Sequence, residues 1–146
     1  MTRTFLRPAL AALACAGTLT LAAPAMADMM TFKAALKGSN EVPPNNSKAS
    51  GQVTAGYDTA TKMLSWKGTY SGLSGPPFAA HIHVGAAGKN GGIAVPIFNN
   101  KTAGSPFEGS KELTDAQVRD LMAGHLYVNI HTAAHKAGEI RGQLMK

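Results

Sequence analysis

The chain has almost no cysteine, since Cys15 is the single one among 146 residues. It lies in an apolar segment near the N-terminus, so the rest of the chain contains no thiol. A protein of this composition cannot form an intramolecular disulfide, and its folded part cannot use a thiolate as a nucleophile or metal ligand. Its stability must come from a packed core, and any transition-metal site must be built from other ligands.

Long apolar runs are also missing, except at the start of the chain. Residues 1–7 carry two arginines and no acid, residues 8–23 are almost uninterruptedly apolar, and residues 25–27 (Ala-Met-Ala) have the small-x-small form of a signal peptidase site. We therefore predict that residues 1–27 are a signal peptide and that the mature protein is periplasmic or secreted. No later run is long enough to span a membrane, so we expect no membrane contact after cleavage.

Acidic residues are few, and the basic residues are not clustered. The leader takes two of the 14 basic residues and none of the 8 acidic ones, which leaves residues 28–146 with a net charge of +4. No basic stretch is interleaved with aromatic residues, which make up 6% of the sequence. This distribution argues against nucleic acid as a partner. The remaining length suits one core, so we predict a single domain over residues 28–146.

Alternating apolar and polar residues predict strands over most of that domain. Thr114 and Gln117 form a capping box that begins one short helix, and Gly124 is placed to end it. Short strands separated by Gly/Pro turns, with a single helix, predict an all-β fold, an antiparallel Greek-key sandwich or barrel. The predicted strands are residues 32–37, 52–57, 63–70, 79–84, 93–98, 125–132 and 138–144.

All five histidines lie in the second half of the chain. His81 and His83 are separated by one residue in a predicted strand, so both project from the face opposite Ile82. Their Cα atoms would lie about 6.6 Å apart, a spacing at which two imidazoles can converge on one ion. The same alternation turns His131 outward in the strand 125–132. If these two strands are neighbours, His81, His83 and His131 form a three-imidazole site.

Two further histidines are candidate ligands for the same ion. His125 follows the glycine that ends the helix, and His135 lies in a predicted loop. An all-imidazole set favours copper, with zinc as the alternative, whereas calcium and magnesium would need oxygen ligands. The competing interpretation is that these histidines are solvated surface residues. Glu139 and Arg141, which share the outward parity, are expected to be a surface pair.

Several ordered motifs resemble the CHRD domain, a family named for chordin. The resemblance covers about residues 30–145 and implies an extracytoplasmic β domain, but it implies little about activity. His81, His83 and His131 fall within the motifs, whereas His125 and His135 lie outside them. The motifs are Glu41-Val42-Pro43-Pro44, Gly72-Leu73-Ser74-Gly75, Ala79-Ala80-His81-Ile82-His83, Leu113-Thr114, Tyr127-Val128-Asn129-Ile130-His131-Thr132 and Gly138-Glu139-Ile140-Arg141-Gly142-Gln143-Leu144.

A more distant likeness is to copper-zinc superoxide dismutase. That enzyme is also a Greek-key barrel that presents His-x-His from one strand and a further histidine from a late strand. Residues 85–92 are too short for the long loop that carries its bridging histidine and zinc ligands. The likeness therefore implies a copper half site and leaves turnover open.

Three functions remain open from the sequence. The favoured one is an exported metal-binding module, which would hold copper for sequestration, delivery or tolerance. The second is a superoxide dismutase-like copper enzyme in which Arg141 steers an anion, and the third is a structural or protein-interaction domain without metal. Because no nucleophile elbow, phosphate loop or His-Glu-x-x-His helix is present, no catalytic residue is assigned and enzymatic activity is disfavoured.

Overall fold

The computed structural model describes residues 28–99 and 104–146. The predicted signal peptide lies outside the described residues. Within them, no helix is both long and apolar enough to cross a membrane. The elements are β1 (Met29–Lys37), a 3₁₀ turn (Gly38–Asn40), β2 (Ser50–Asp58), β3 (Met63–Ser71), β4 (Pro77–Val84), β5 (Ile93–Asn99), β6 (Phe107–Glu112), α1 (Asp115–Met122), β7 (Leu126–Thr132) and β8 (Ile140–Gln143).

The strands form one antiparallel sheet in the order β5-β4-β7-β8-β1-β2-β3-β6. The two edge strands, β5 and β6, approach each other where the rings of Phe98 and Phe107 meet edge to face with centroids 6.1 Å apart. The sheet is thereby a nearly closed barrel. The predicted all-β class with one short helix is confirmed.

The barrel interior follows directly from the alternation of side chains. In β1, Phe32, Ala34 and Leu36 are buried while their neighbours in the strand are exposed. The other strands contribute matching inward residues to the same core. Each large aliphatic or aromatic side chain buried in this way contributes about 1.5–3 kcal/mol. In a domain without disulfides, this interior is the main source of stability.

The helix begins as its capping box predicts. The Thr114 hydroxyl accepts from the Gln117 amide at 3.3 Å, and the Thr114 amide donates to the Gln117 side-chain oxygen at 2.9 Å. Leu121 is fully buried and joins the core. Gly124 follows the helix with φ +70°, a left-handed conformation that glycine adopts without strain. The chain can therefore turn directly into β7.

One strand, β6, is not predicted by the sequence pattern. Its single buried apolar side chain is that of Phe107, so it shows no alternation to detect. Pairing with β3 places Gly109 directly opposite Trp66. A Cβ at Gly109 would come within 2.6 Å of the Trp66 ring. The position of β6 is therefore decided by backbone pairing and by the shape of one indole.

Candidate metal centre

Strands β4 and β7 are neighbours, which is the adjacency that the sequence left open. Their register places His131 opposite Ala79 and Asn129 opposite His81. Residues opposite each other in an antiparallel pair point to the same face. His81, His83 and His131 therefore share the outer face, and the alternate residues of both strands fill the core.

The three imidazoles converge. One nitrogen from each of His81, His83 and His131 lies within 4.8 Å of the other two. The closest pair is His81 Nδ1 and His131 Nε2, which are 3.2 Å apart. Two nitrogens bound at about 2.0 Å to one tetrahedral ion lie about 3.3 Å apart. The observed distance of 3.2 Å fits two ligands of a common ion, and it is also the distance of a hydrogen bond between the two rings.

The second nitrogen of each ring faces an oxygen. An oxygen acceptor requires the proton on the nitrogen that faces it, so the other nitrogen keeps its lone pair. Partners of this kind fix the tautomer and orientation of metal-binding histidines. The pairs are His81 Nε2 with Asn99 Oδ1 at 2.8 Å, His83 Nδ1 with the Gly91 carbonyl at 3.0 Å and His131 Nδ1 with the Lys136 carbonyl at 3.0 Å.

One ring nitrogen of the three histidines is buried and has no hydrogen-bond partner in the described part of the chain. Among the described residues, His83 Nε2 is a buried atom without a hydrogen bond. Leaving a buried polar atom unsatisfied costs about 1–3 kcal/mol. A metal ion held between the rings would give His83 Nε2 a partner. It would also accept the lone pairs of the close His81 and His131 nitrogens. The donor set thus fits a transition metal.

Burial favours the neutral form of both carbonyl-bound rings. Burial lowers the pKa of His131 to about 4; the Lys136 carbonyl opposes this shift, and the charges of the other two histidines add to it. Burial likewise lowers the pKa of His83 below its usual value, against the hydrogen bond to the Gly91 carbonyl. Neutral imidazole is the form that binds metal, so protons compete weakly at these two rings.

Tyr127 packs against the His83 ring, and Arg141 packs against Tyr127. The Tyr127 and His83 rings are stacked, with centroids 5.1 Å apart and an interplanar angle of 8°. The Arg141 guanidinium lies over the Tyr127 ring, with Cζ 3.4 Å from its centroid. Arg141 also donates to Asn90 Oδ1 and to the carbonyl of Lys89. It therefore holds the loop that supplies the Gly91 carbonyl to His83.

The prediction that Glu139 and Arg141 form a surface pair is wrong. Glu139 is 0% exposed and Arg141 is 2% exposed, and residues 45–47 and 86–91 cross over them. Glu139 accepts from three hydroxyls, those of Ser47, Ser74 and Thr132. Desolvation raises the pKa of Glu139, but these hydrogen bonds together hold that pKa below its usual value. Arg141 is too enclosed to steer an anion from solvent.

The structure does not bring His125 and His135 to the three-histidine site. His125 is exposed just before β7, and His135 is half-buried in the loop that follows β7. Among residues 28–99 and 104–146, one group of His, Cys, Asp or Glu side chains has its ligand atoms close enough together to hold a metal ion. It consists of His81, His83 and His131. Asn99 could not be identified as a partner of His81 from the sequence, because no pattern links the end of β5 to the middle of β4.

Comparison with known proteins gives one match. A family model described as the CHRD domain matches residues 32–144. No curated protein and no solved structure matches the chain, so the distant likeness to copper-zinc superoxide dismutase has no support from them. The matched range includes His81, His83 and His131.

Proposed function

Because this chain belongs to the CHRD domain family, whose fold does not by itself define an activity, we propose that its function lies in the histidine site. The protein is exported and binds one transition-metal ion through His81, His83 and His131. Copper is the preferred metal and zinc the alternative. The role of the bound metal is sequestration, delivery or tolerance.

The observation that carries this proposal is the orientation of the three rings. Each ring has one nitrogen next to an oxygen, and one nitrogen from each of the three rings lies within 4.8 Å of the other two. A chance cluster of surface histidines has no reason to be oriented in this way at all three members. Such an arrangement is expected when the rings are preorganised to share one ion.

The donor set supports copper over the other divalent metals. Nitrogen sites generally bind Cu(II) more tightly than Zn(II) or the earlier first-row metals, and imidazole suits both copper and zinc. The two carboxylates that are buried in the described part of the chain are engaged elsewhere, because Glu41 accepts from Asn129 and Glu139 accepts from three hydroxyls. Water or an exogenous ligand would complete the coordination sphere.

Binding is favoured over catalysis by the enclosure of the site. His81 and His131 are only 8% and 7% exposed, which leaves little room for a substrate beside the ion. Arg141, which could otherwise guide an anion to the ion, is enclosed by loop carbonyls. A metal-binding role needs only the ion to enter.

The test is a titration of chelator-treated protein with Cu(II) and, separately, Zn(II). Calorimetry should give one ion per chain for the unmodified protein. The double variant His83→Ala/His131→Ala should lose at least about 100-fold in affinity, because loss of a ligand exceeds the 10–100-fold typical of an outer-shell partner. Electron paramagnetic resonance of the Cu(II) form should show hyperfine structure from three imidazole nitrogens.

The matched control removes the two histidines outside the site. His125→Ala/His135→Ala deletes the same number of imidazoles and should keep the affinity of the unmodified protein. Circular dichroism would verify that both double variants are folded. Equal copper affinity in the two variants would remove the proposal and would favour a structural or protein-interaction domain.

A further inference from the structure

A second candidate site is a cleft between residues 39–44 and residues 87–88, and none of the three histidines lines it. The volume of the cleft is about 550 Å³. Sites for small molecules typically have volumes of about 300–1,000 Å³. Val42, Pro44 and Ala87 give the cleft some apolar surface, and the rest of its lining is mostly polar. The polar groups therefore decide which ligand it can bind.

Two amide side chains in the lining keep only their oxygens free for a ligand. The NH₂ group of Asn40 donates to two backbone carbonyls, at 3.0 and 3.1 Å. The NH₂ group of Gln143 likewise donates to two backbone carbonyls, at 2.7 and 2.8 Å. Because a carbonyl can only accept, these bonds fix the orientation of both amides and use all their donors. Asn40 Oδ1 and Gln143 Oε1 remain as acceptors.

A buried carboxyl adds a third oxygen to the same cleft. Glu41 lines the cleft and is 6% exposed. Its Oε1 accepts from Asn129, and its Oε2 forms no hydrogen bond with a described residue. A strongly perturbed carboxyl in a cleft is typical of binding sites, and burial raises the pKa of Glu41 to about 7. Oε2 is therefore available to a ligand.

The charges around the cleft favour a neutral ligand. Arg141 also lines the cleft, and in the described part of the chain its guanidinium is held by neutral oxygens and forms no ion pair. A cationic ligand would lie beside this buried positive charge and would be repelled. An anionic ligand would meet the oxygens of Asn40, Glu41 and Gln143. A neutral ligand that carries hydrogen-bond donors avoids both penalties.

We propose that this cleft binds a neutral polyhydroxylated ligand of the saccharide class. Ligand hydroxyls donate to the free oxygens of Asn40, Glu41 and Gln143. The Ser39 hydroxyl, which also lines the cleft, donates to a ligand oxygen. A hydroxyl group both donates and accepts, so one kind of ligand group matches all four side chains. The C–H faces of a sugar ring lie against the apolar surface, and no metal ion is needed.

Nitrogen-15 NMR of chelator-treated protein tests the proposal, with glucose, galactose and N-acetylglucosamine added separately. At least one of these neutral sugars should shift the side-chain NH₂ signals of Asn40 and Gln143. Glucosamine and glucuronate, which carry opposite charges, should cause smaller shifts at equal concentration. No shift with any neutral sugar overturns the proposal. A larger shift with glucosamine or glucuronate overturns the assignment of a neutral ligand.

Substitutions in the cleft give a second readout with the neutral sugar that binds best. Ala87→Trp fills the cleft from an exposed position and should abolish binding. Ala60→Trp, at an exposed alanine in the turn between β2 and β3, is the matched control and should keep the affinity. Ser39→Ala removes one hydrogen bond and should weaken binding about 2–10-fold. Equal affinity in the two tryptophan variants would show that the sugar binds elsewhere and would overturn the proposal.

Discussion

At the scale of single residues, the buried polar side chains show how far an environment changes a group's chemistry. Glu41 is 6% exposed, and its carboxylate accepts a hydrogen bond from Asn129. Burial raises the pKa of Glu41 from 4.5 to about 7, although the Asn129 hydrogen bond and the charge of Arg141 act in the opposite direction. The folded protein therefore holds a proton on this carboxyl at pH values where the unfolded chain has lost it.

The prediction at this scale concerns the pH dependence of stability. Because the pKa of Glu41 is raised in the folded state, its protonation stabilises the fold. This contribution to the free energy of unfolding is fully present below about pH 4.5 and is lost as the pH rises through about 7. Glu41→Gln removes this titration and keeps an oxygen that can accept from Asn129. Relative to the unmodified protein, the variant should gain up to about 3 kcal/mol in unfolding free energy between pH 4.5 and pH 8.

Urea unfolding of metal-free protein at the two pH values measures this gain. His131 titrates in the opposite sense, but it is present in both proteins and cancels in the comparison. Glu112→Gln, which changes an exposed carboxyl, serves as the control and should show no gain. If the Glu41 variant and the unmodified protein lose the same free energy of unfolding between pH 4.5 and pH 8, Glu41 is ionised in the folded state.

At the scale of elements, strands and loops are positioned by contacts between remote segments. Loop residues 86–91 lie over β8 because Arg141 binds their carbonyls. Residues 45–47 lie over the start of the same strand through hydrogen bonds to Glu139. Strand β6 is accommodated because Gly109 leaves room for the ring of Trp66. None of these three placements follows from the local pattern of the segment that is placed.

Gly109→Ala tests the fit of β6 against β3. The added methyl would lie 2.6 Å from the Trp66 ring, so either the ring or the strand must shift. Overpacking of this kind typically costs about 1–3 kcal/mol. Chemical unfolding followed by Trp66 fluorescence should show the loss in stability. Gly75→Ala is the matched control, because a Cβ there meets nothing within 4 Å. Equal midpoints for the two variants would show that the Trp66 ring is free to move.

At the scale of the whole molecule, one sheet encloses one core, and a histidine site lies on the outside of that sheet. The residues from 28 onward contain no cysteine, so neither the fold nor the site depends on the redox state of a thiol. Such a domain is compatible with an oxidising compartment. The export that we propose rests on the N-terminal sequence, which is separate from the fold.

Export is tested by expressing the full chain in a bacterial host. The protein recovered from the periplasm should begin at Asp28, as measured by intact mass and N-terminal sequencing. Signal peptidase needs small side chains around the cleaved bond, so Ala27→Phe should leave the uncleaved chain in the membrane fraction. Lys146→Ala, at the other end of the chain, should be processed normally. A protein that starts at Met1 and stays in the cytoplasm would contradict the proposed export.

The sequence by itself determined the β class, the capped helix and the side of each strand on which a histidine lies. These features depend on the two-residue period of a strand or on contacts within one turn, so a single segment contains all the information. Parity was therefore enough to place His81, His83 and His131 on outward faces.

Only the tertiary structure decided which strands are neighbours and what covers the outer face. Backbone hydrogen bonds between strands are nearly the same for every sequence, so the pairing of β4 with β7 depends on how the whole core packs. Outward parity did not mean exposure for Arg141, because a distant loop lies over it. The same long-range packing brings Asn99 to within 2.8 Å of His81.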